Sequence, residues 1–493
     1  MVKLNNEKLL FSAIFLLALA IFILRLLLAT SYLPETGGVS INVLYGILRI
    51  INGSFLYTDP EMPPYPIIQY MPLHFYGIKL ITGILGIQNN VHAIMVTNRI
   101  FCLLIDSVSV ILIARSLIKY FHISSLFSWT LAMIYFVCIP GIIFGRGDNL
   151  YLLFFILTII PLLVHFLHHE KAPDSSPKLL LIAGLTSALA VNAKQTGIFL
   201  VVLCLLFIFL RKNIWRDLFK YAMGFSGCTL LIFLITHPAS SALALKLNVI
   251  DGVKNGLNIN WFMEVFLKNY FLKFSYLLTG GIVVALLLLK SPGEKINRFT
   301  GLAIIWYFTA ALLSSFKAGS GPNYYLEFII LSIFGLALLI HNKQISYEKN
   351  LLFALVISPF FIVASANDKG WGDIKLMKAA KADYHNSQQL AAHLLPLLKE
   401  DQWILTAFHK ESTLNLHLSD KALFPCREVA LYFTKPLGVF HFKDFSKRIN
   451  TPSIPYIVDY SGEFPDTFME DSLTQYRADT TIGNYTVYKL ISL

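Results

Sequence analysis

The sequence predicts a mainly α, polytopic transmembrane helical bundle followed by a small C-terminal α/β domain. Three observations predict it. The 493 residues are 56% hydrophobic and only 14% charged, with a mean hydropathy of +0.63, values foreign to an ordinary soluble enzyme or a disordered chain. Apolar runs approaching the roughly 20 residues needed to cross the hydrocarbon core recur along most of the chain. From residue 367 onward the apolar runs shorten and charges return.

About eleven spans follow, at 9–30, 95–118, 124–144, 149–168, 178–193, 196–211, 220–237, 271–290, 299–316, 324–341 and 350–366. The first run is too long, and too poor in small residues at its end, for a cleaved signal peptide, and is read as a retained span. Clustered basic residues set the orientation. Lys3 and Lys8 precede the first span, and Arg115 and Lys119 follow the second. "HHEKAPDSSPK", "RKNIWRDLFK", "KSPGEKINR" and "NKQISYEK" follow the fourth, sixth, eighth and tenth. These loops and the N-terminus are expected in the cytoplasm; the alternate loops and the C-terminal domain are expected outside. Residues 72–88, counted as a span, would reverse every later segment, so they are predicted as a helix in the outer interface. The chain thus divides into a membrane domain (1–366) carrying an outer-face loop (31–94), and a soluble extracytoplasmic domain (367–493). In the latter, "DQWILTAF" and "IPYIVDY" read as short strands. "MKAAKADYHNSQQLAAHLLPLLKE" reads as an amphipathic helix and "GNYTVYKLISL" as a turn and final strand.

The net charge of +11 fits basic cytoplasmic loops and gives no reason to invoke nucleic acid. Four of the five cysteines lie in apolar segments and only Cys426 in a polar one, so neither a disulfide framework nor a zinc motif is expected.

With that orientation, the polar residues least expected in so apolar a chain gather on the outer side. Glu35, Asp59 and Glu61 are in the first outer loop, Arg146 and Asp148 in the second, Lys194 and Gln195 in the third, and Lys317, Asn323, Tyr324 and Glu327 at the fifth. Ionisable groups at span ends usually pair or line a cavity. Cations from separate loops suit a phosphate, Arg146 as a bidentate fork and the lysines as point charges. A carboxylate suits removal of a proton from a hydroxyl. Plainer roles stand beside these. Glu35 can cap the helix starting near Ser40, and Asp59 can serve the turn before Pro60. Asp148 can pair with Arg146 or cap the span it opens. Lys194 and Lys317 can snorkel outward. Glu327 can be a ligand or a partner of Lys317. Asp106, in the middle of the second span, is expected to pair with Arg25 or Arg99.

The order of these elements resembles the GT-C superfamily of membrane glycosyltransferases, above all the bacterial branch related to protein O-mannosyltransferases and aminoarabinose transferases. "PETGGVSINVLYGILRIINGSFLYTDPEMPPYPIIQYMPLHFYG" resembles the family's acidic first loop, and "NRIFCLLIDSVSVIL" its Arg-led second span. "GRGDNLYLLFFIL" resembles its Arg-x-Asp junction, "GLTSALAVNAKQTGIFLV" its Lys-Gln-Thr element and "KAGSGPNYYLE" its Gly-x-x-x-Asn-Tyr-x-x-Glu element. The resemblance spans roughly residues 1–345 and, more faintly, the C-terminal domain. The family's acid, counted back from Gly53, falls on Gly38 and Val39; Glu35 is the nearest acid. By resemblance Glu35 takes the general-base role, with Asp59 as the alternative. Arg146, Asp148, Lys194, Gln195, Lys317, Asn323, Tyr324 and Glu327 become the donor site.

The resemblance implies an inverting glycosyltransferase of the bacterial inner membrane. Its donor is a polyprenyl-phosphate sugar, and its acceptor a hydroxyl on a lipid, glycan or protein. No cofactor is implied with certainty, a divalent cation being used by some relatives only. The rival from another class is a polytopic transporter or lipid flippase, which internal repeats and a midplane site would mark; no internal repeat is seen. A second rival is a non-catalytic assembly subunit that keeps the fold.

Overall fold

The structure, a computed structural model, describes residues 2–34, 40–139, 144–169, 177–211, 213–291, 295–343, 370–407, 412–425, 436–450, 453–461 and 475–491. The long apolar runs form helices: α1 (Val2–Thr30), α2 (Ser40–Ile51), α3 (Pro72–Ile84), α4 (Val91–Phe121), α5 (Ser125–Cys138), α6 (Gly147–His169), α7 (Pro177–Ala193), α8 (Ile198–Phe209) and α9 (Ile214–Thr236). After the short helices α10 (Ala242–Lys246) and α11 (Ile259–Trp261) come α12 (Leu272–Lys290), α13 (Lys295–Ser315) and α14 (Leu326–His341).

Six stretches among the described residues are long and apolar enough to cross a membrane: Lys8–Thr30, Val91–Phe121, Gly147–Leu167, Ile214–Thr236, Lys295–Ser315 and Pro322–His341. Shorter apolar helices at Ser125–Cys138, Lys178–Ala193, Gln195–Phe209 and Leu277–Lys290 occupy four more of the expected positions. The last expected span, 350–366, lies outside the described residues. On α9 the side chains of Leu230, Leu231, Leu234 and Ile235 are exposed, as befits a surface solvated by lipid tails. This is a multi-pass membrane protein. The segment predicted as an interfacial helix is α3, opened by a proline in its first turn, where the missing N–H goes unused.

Contacts divide the chain into two units. The first comprises Met1–Leu26, Phe101–Ile235 and Leu257–Trp371. Its helices meet where glycines allow it. A Cβ on Gly184 would stand 2.2 Å from the Tyr221 carbonyl oxygen, and one on Gly224 2.3 Å from that of Leu181, so α7 and α9 cross backbone to backbone. Gly224→Leu is expected to force the two helices apart and cost about 1–3 kcal/mol, the usual scale of overpacking. A thermal melt in detergent checks this, and an unchanged midpoint refutes it.

The second unit comprises Leu27–Ile100, Thr236–Gly256 and Gly372–Leu493. The first loop and the C-terminal residues therefore form one body. Tyr45 and Ser54 hydroxyls donate to the two carboxylate oxygens of Asp420, at 2.6 and 2.8 Å. The Tyr65 hydroxyl donates to Asp444 at 2.8 Å, and its ring stacks on Phe424. Helix α15 (Gly370–Leu394) overlaps the predicted amphipathic helix, starting before it and giving way to a 3-10 turn at Leu395–Leu397, where Pro396 stands. It precedes a five-stranded mixed sheet of β1 (Ile404–Thr406), β2 (Ala422–Leu423), β3 (Tyr456–Tyr460), β4 (Tyr476–Ile482) and β5 (Tyr485–Leu490), in the order β2-β1-β3-β5-β4. Strands β2, β1 and β3 run parallel, while β5 is antiparallel to both β3 and β4. The predicted strands are β1, β3 and β5. The two-residue β2 is too short for an alternation to show. Strand β4, "YRADTTI", is half-exposed and polar, so its pattern is weak.

Arg49, buried on α2, has its Nε 3.4 Å from Asp420. Asp420→Ala is expected to destabilise this unit by about 1–3 kcal/mol, because two hydroxyls lose their acceptor and a buried guanidinium loses its counter-charge. Limited proteolysis of the first loop checks it; an unchanged cleavage rate refutes it.

Candidate functional site

The polar residues of the first unit converge on Asp148. It sits in the first turn of α6, where the helix dipole favours a carboxylate. The chain reaches it through Gly145, at φ +86°, a conformation that suits glycine. Asp148 is buried, and its Oδ1 accepts from Lys194 Nζ at 2.5 Å and Asn323 Nδ2 at 2.8 Å. Its Oδ2 is buried with no hydrogen-bond partner among the described residues.

Lys194 stands at the break between α7 and the 3-10 turn Gln195–Gly197, with extended backbone at φ −154°. The break is tight because Gly197 lies against α7: a Cβ there would meet the Val191 nitrogen at 2.6 Å. The Lys194 ammonium also lies 4.8 Å from the Tyr324 ring centroid and 6.0 Å from that of Tyr151, a cation–π arrangement. Burial disfavours its charge, but the adjacent Asp148 carboxylate more than offsets this, and its pKa is raised. Gln195 is half-buried at the start of the turn.

Arg146, two residues before Asp148, is buried as well and acts on the Asp148 carboxylate through its field. Lys317 lies on the segment after α13, paired through its backbone with Leu257. Among the described residues no carboxylate forms an ion pair with it. Burial, with repulsion from Lys194, pushes its pKa from 10.5 down to about 8.

Glu327 is buried in the first turn of α14. It faces the hydroxyls of Tyr151 and Tyr307, and its Oε2 has no hydrogen-bond partner among the described residues. Those two tyrosines were not legible as site residues. They read as ordinary aromatics in apolar runs, and only the folded bundle brings them to the acid.

The structure therefore joins Arg146, Asp148, Lys194, Lys317, Asn323, Tyr324 and Glu327 in one unit. Asp148 bonds to Lys194 and Asn323, an arrangement neither local alternative anticipated. Glu327 faces tyrosines and the field of Lys194 in place of the considered pairing with Lys317. Below them Asp106 takes Arg25, at 3.6 Å, and a hydrogen bond from Asn149 at 2.7 Å.

Gln195 lies in the same unit, while the candidates of the first loop belong to the second. Glu35 lies outside the described residues. Arg99, the alternative partner considered for Asp106, instead clasps the chain that leads to it, donating to the carbonyls of Leu28, Ser31, Leu33 and Pro34. Asp59 is exposed and accepts from the Glu61 backbone N–H at 2.9 Å, the turn role open to it. Among the described residues no group of three or more His, Cys, Asp or Glu is placed to hold a metal.

No protein-family model and no curated protein matches the sequence. Among solved structures, the chain is similar to ArnT from Cupriavidus metallidurans bound to undecaprenyl phosphate, with a TM-score of 0.55 and 11% identity, covering 96% of this chain and 97% of that one. It is equally similar to the apo state of the same protein, with a TM-score of 0.56 and 10% identity over the same shares. The S. cerevisiae protein O-mannosyltransferase Pmt1-Pmt2 complex bound to the sugar donor matches 47% of this chain and 33% of that one at 17% identity, and its TM-score of 0.33 is too low to bear on the fold. The likeness to ArnT, over 96% of this chain, is a likeness of fold.

Proposed function

We propose that the protein is an integral membrane glycosyltransferase that takes a sugar from a polyprenyl-phosphate donor and places it, with inversion, on an acceptor hydroxyl outside the cytoplasm. The observation that carries the reading is the state of Lys317. A half-buried ammonium with no carboxylate paired to it among the described residues, and repelled by a second cation already engaged by Asp148, favours an anion beside it. A lipid phosphate supplies it.

The division of labour we propose is as follows. Asp148, which also accepts from Asn323, holds Lys194 in position near the Tyr324 ring. Lys317 meets the phosphate as a point charge, and Arg146 adds a planar fork. As the sugar–phosphate bond breaks, charge grows on the leaving phosphate, and these preset cations stabilise it there more than in the ground state. Glu327, Gln195 and the Tyr151 and Tyr307 hydroxyls are the polar groups offered to the donor sugar. Glu35, or else Asp59, removes the proton from the acceptor hydroxyl. The amino terminus is cytoplasmic and the second unit extracytoplasmic, as the basic loops imply. The sugar is a hexose or pentose, and the acceptor a lipid, glycan or protein.

Transfer by purified protein tests the base. Glu35→Gln is expected to lower kcat by two to four orders of magnitude, the usual worth of a general base, roughly 10²–10⁴-fold, with donor binding intact. If Glu35→Gln and Asp59→Asn both retain full turnover, the base assignment is wrong.

A further inference from the structure

The second unit holds a cavity of about 290 Å³ that none of the foregoing chemistry uses. It opens where α4 begins, beneath α15 and the short helix α16 (Leu414–Leu418). The amides of Asn89, Asn90 and Gln388 line it, together with the Tyr384 hydroxyl and the His417 imidazole. Asn89, Gln388 and His385 are exposed, so a ligand can enter from the aqueous side.

Two features define what fits. Among the described residues lining the cavity none is Lys, Arg, Asp or Glu. The α4 N-terminus, ordinarily an anion site, is already served. His92 N–H donates to the Tyr384 hydroxyl at 3.3 Å, Ala93 N–H to Asn90 Oδ1 at 3.0 Å, and Ile94 N–H to the Asn90 carbonyl at 3.0 Å. Three of the helix's first amides are thus engaged, and no cationic side chain among the described residues lines the cavity to hold an anion. The cavity nevertheless offers unspent hydrogen bonding. The His92 and His417 Nε2 atoms are buried without hydrogen-bond partners among the described residues. The Tyr384 hydroxyl, accepting from His92, keeps its own proton to donate. Burial holds His417 neutral, its pKa pushed down to about 4. The walls are aromatic: Tyr32 stacks on His92 with centroids 3.8 Å apart, and Tyr384 packs edge-on to His417. Neutral donors and acceptors set among aromatic rings match an uncharged polyhydroxylated ring, whose hydroxyls both give and accept hydrogen bonds while its C–H faces are apolar.

We infer that this cavity binds a neutral sugar ring. That the ring belongs to a glycan acceptor rests on the transferase reading; the binding itself does not.

Saturation-transfer NMR on the full chain in nanodiscs tests it, with methyl α-glucoside, methyl α-galactoside and methyl α-mannoside as probes and glucose 1-phosphate as the anionic comparison. At least one glycoside is expected to receive saturation, and glucose 1-phosphate none. Gln388→Trp, an exposed change that fills the cavity, is expected to abolish the signal. His417→Phe, which keeps the ring and removes Nε2, is expected to raise Kd about tenfold, the scale of one lost buried hydrogen bond. Both variants are expected to bind undecaprenyl phosphate like the parent. Silence from all three glycosides, a signal that survives Gln388→Trp, or preference for glucose 1-phosphate would each overturn the inference. Failure of the parent to bind undecaprenyl phosphate while the glycosides still bind would instead sink the donor assignment and leave this one standing.

Discussion

Raising the pH through about 8 is expected to weaken binding of undecaprenyl phosphate, because Lys317 loses its proton there. The sign follows from linkage. The ammonium binds the phosphate and the neutral amine does not, and bound phosphate raises the pKa of the lysine. Between the free and the bound pKa, affinity therefore falls by up to about tenfold per pH unit. The phosphate ester itself gains its second charge near pH 6, so affinity peaks between the two ionisations. Folding of the empty protein moves the other way. The folded pKa of Lys317 lies below its unfolded value of 10.5, so the unfolded chain binds the extra proton, and this group adds stability as pH rises from about 8 to 10.5. Lys317→Arg is expected to remove the alkaline limb and retain binding. Lys317→Met is expected to remove the limb and lower the maximum about 10–100-fold, the worth of a charge-assisted hydrogen bond. Isothermal titration across the pH range reads all three. An alkaline limb that survives Lys317→Arg unchanged assigns the ionisation elsewhere and takes Lys317 out of the phosphate site.

Asp148→Ala is expected to be among the most damaging single substitutions in the chain. It leaves the Lys194 ammonium buried without its 2.5 Å carboxylate and Asn323 without its acceptor. Breaking a buried ion pair from one side costs about 3–5 kcal/mol, visible as a large fall in thermal midpoint. Removing both charges is different, since paired apolar replacements are often neutral or stabilising. Asp148→Leu with Lys194→Met is therefore expected to recover most of the lost stability. It is not expected to recover undecaprenyl-phosphate binding, because the recovered fold lacks the cation. That split between stability and binding separates a functional pair from a structural one. Full binding by the double variant would mark the pair as scaffold only.

The contrast between Asp148 and Glu35 shows how far the sequence reaches. Asp148, Lys194 and Asn323 stood out because a charged or amide group at the end of an apolar run is costly, and that cost is visible in one dimension. Their mutual bonding was not visible, because 46 and 175 residues separate Asp148 from its two partners. Arg99 shows the same limit. The sequence offered it as one of two partners for Asp106, and the fold instead gives Asp106 to Arg25 and turns Arg99 to four carbonyls of the chain before Glu35. Backbone acceptors carry no residue signature, so no reading of side-chain types finds them. Tyr151, Tyr307 and the cavity around His417 were missed for a related reason: aromatic and imidazole groups in apolar or amphipathic runs look like ordinary packing until the fold shows which polar atoms they leave unsatisfied.

By itself the sequence determined that the chain is a multi-pass helical membrane protein ending in a small mixed domain, and which polar residues it places at the ends of its apolar runs. Hydrophobicity and charge act locally, residue by residue, and so are written in order along the chain. Only the tertiary structure decided that the first loop and the C-terminal residues form one body, that Asp148 holds Lys194, and that Lys317 is half-buried within the field of Lys194. Pairing and desolvation depend on distances between residues far apart in the chain, which folding sets.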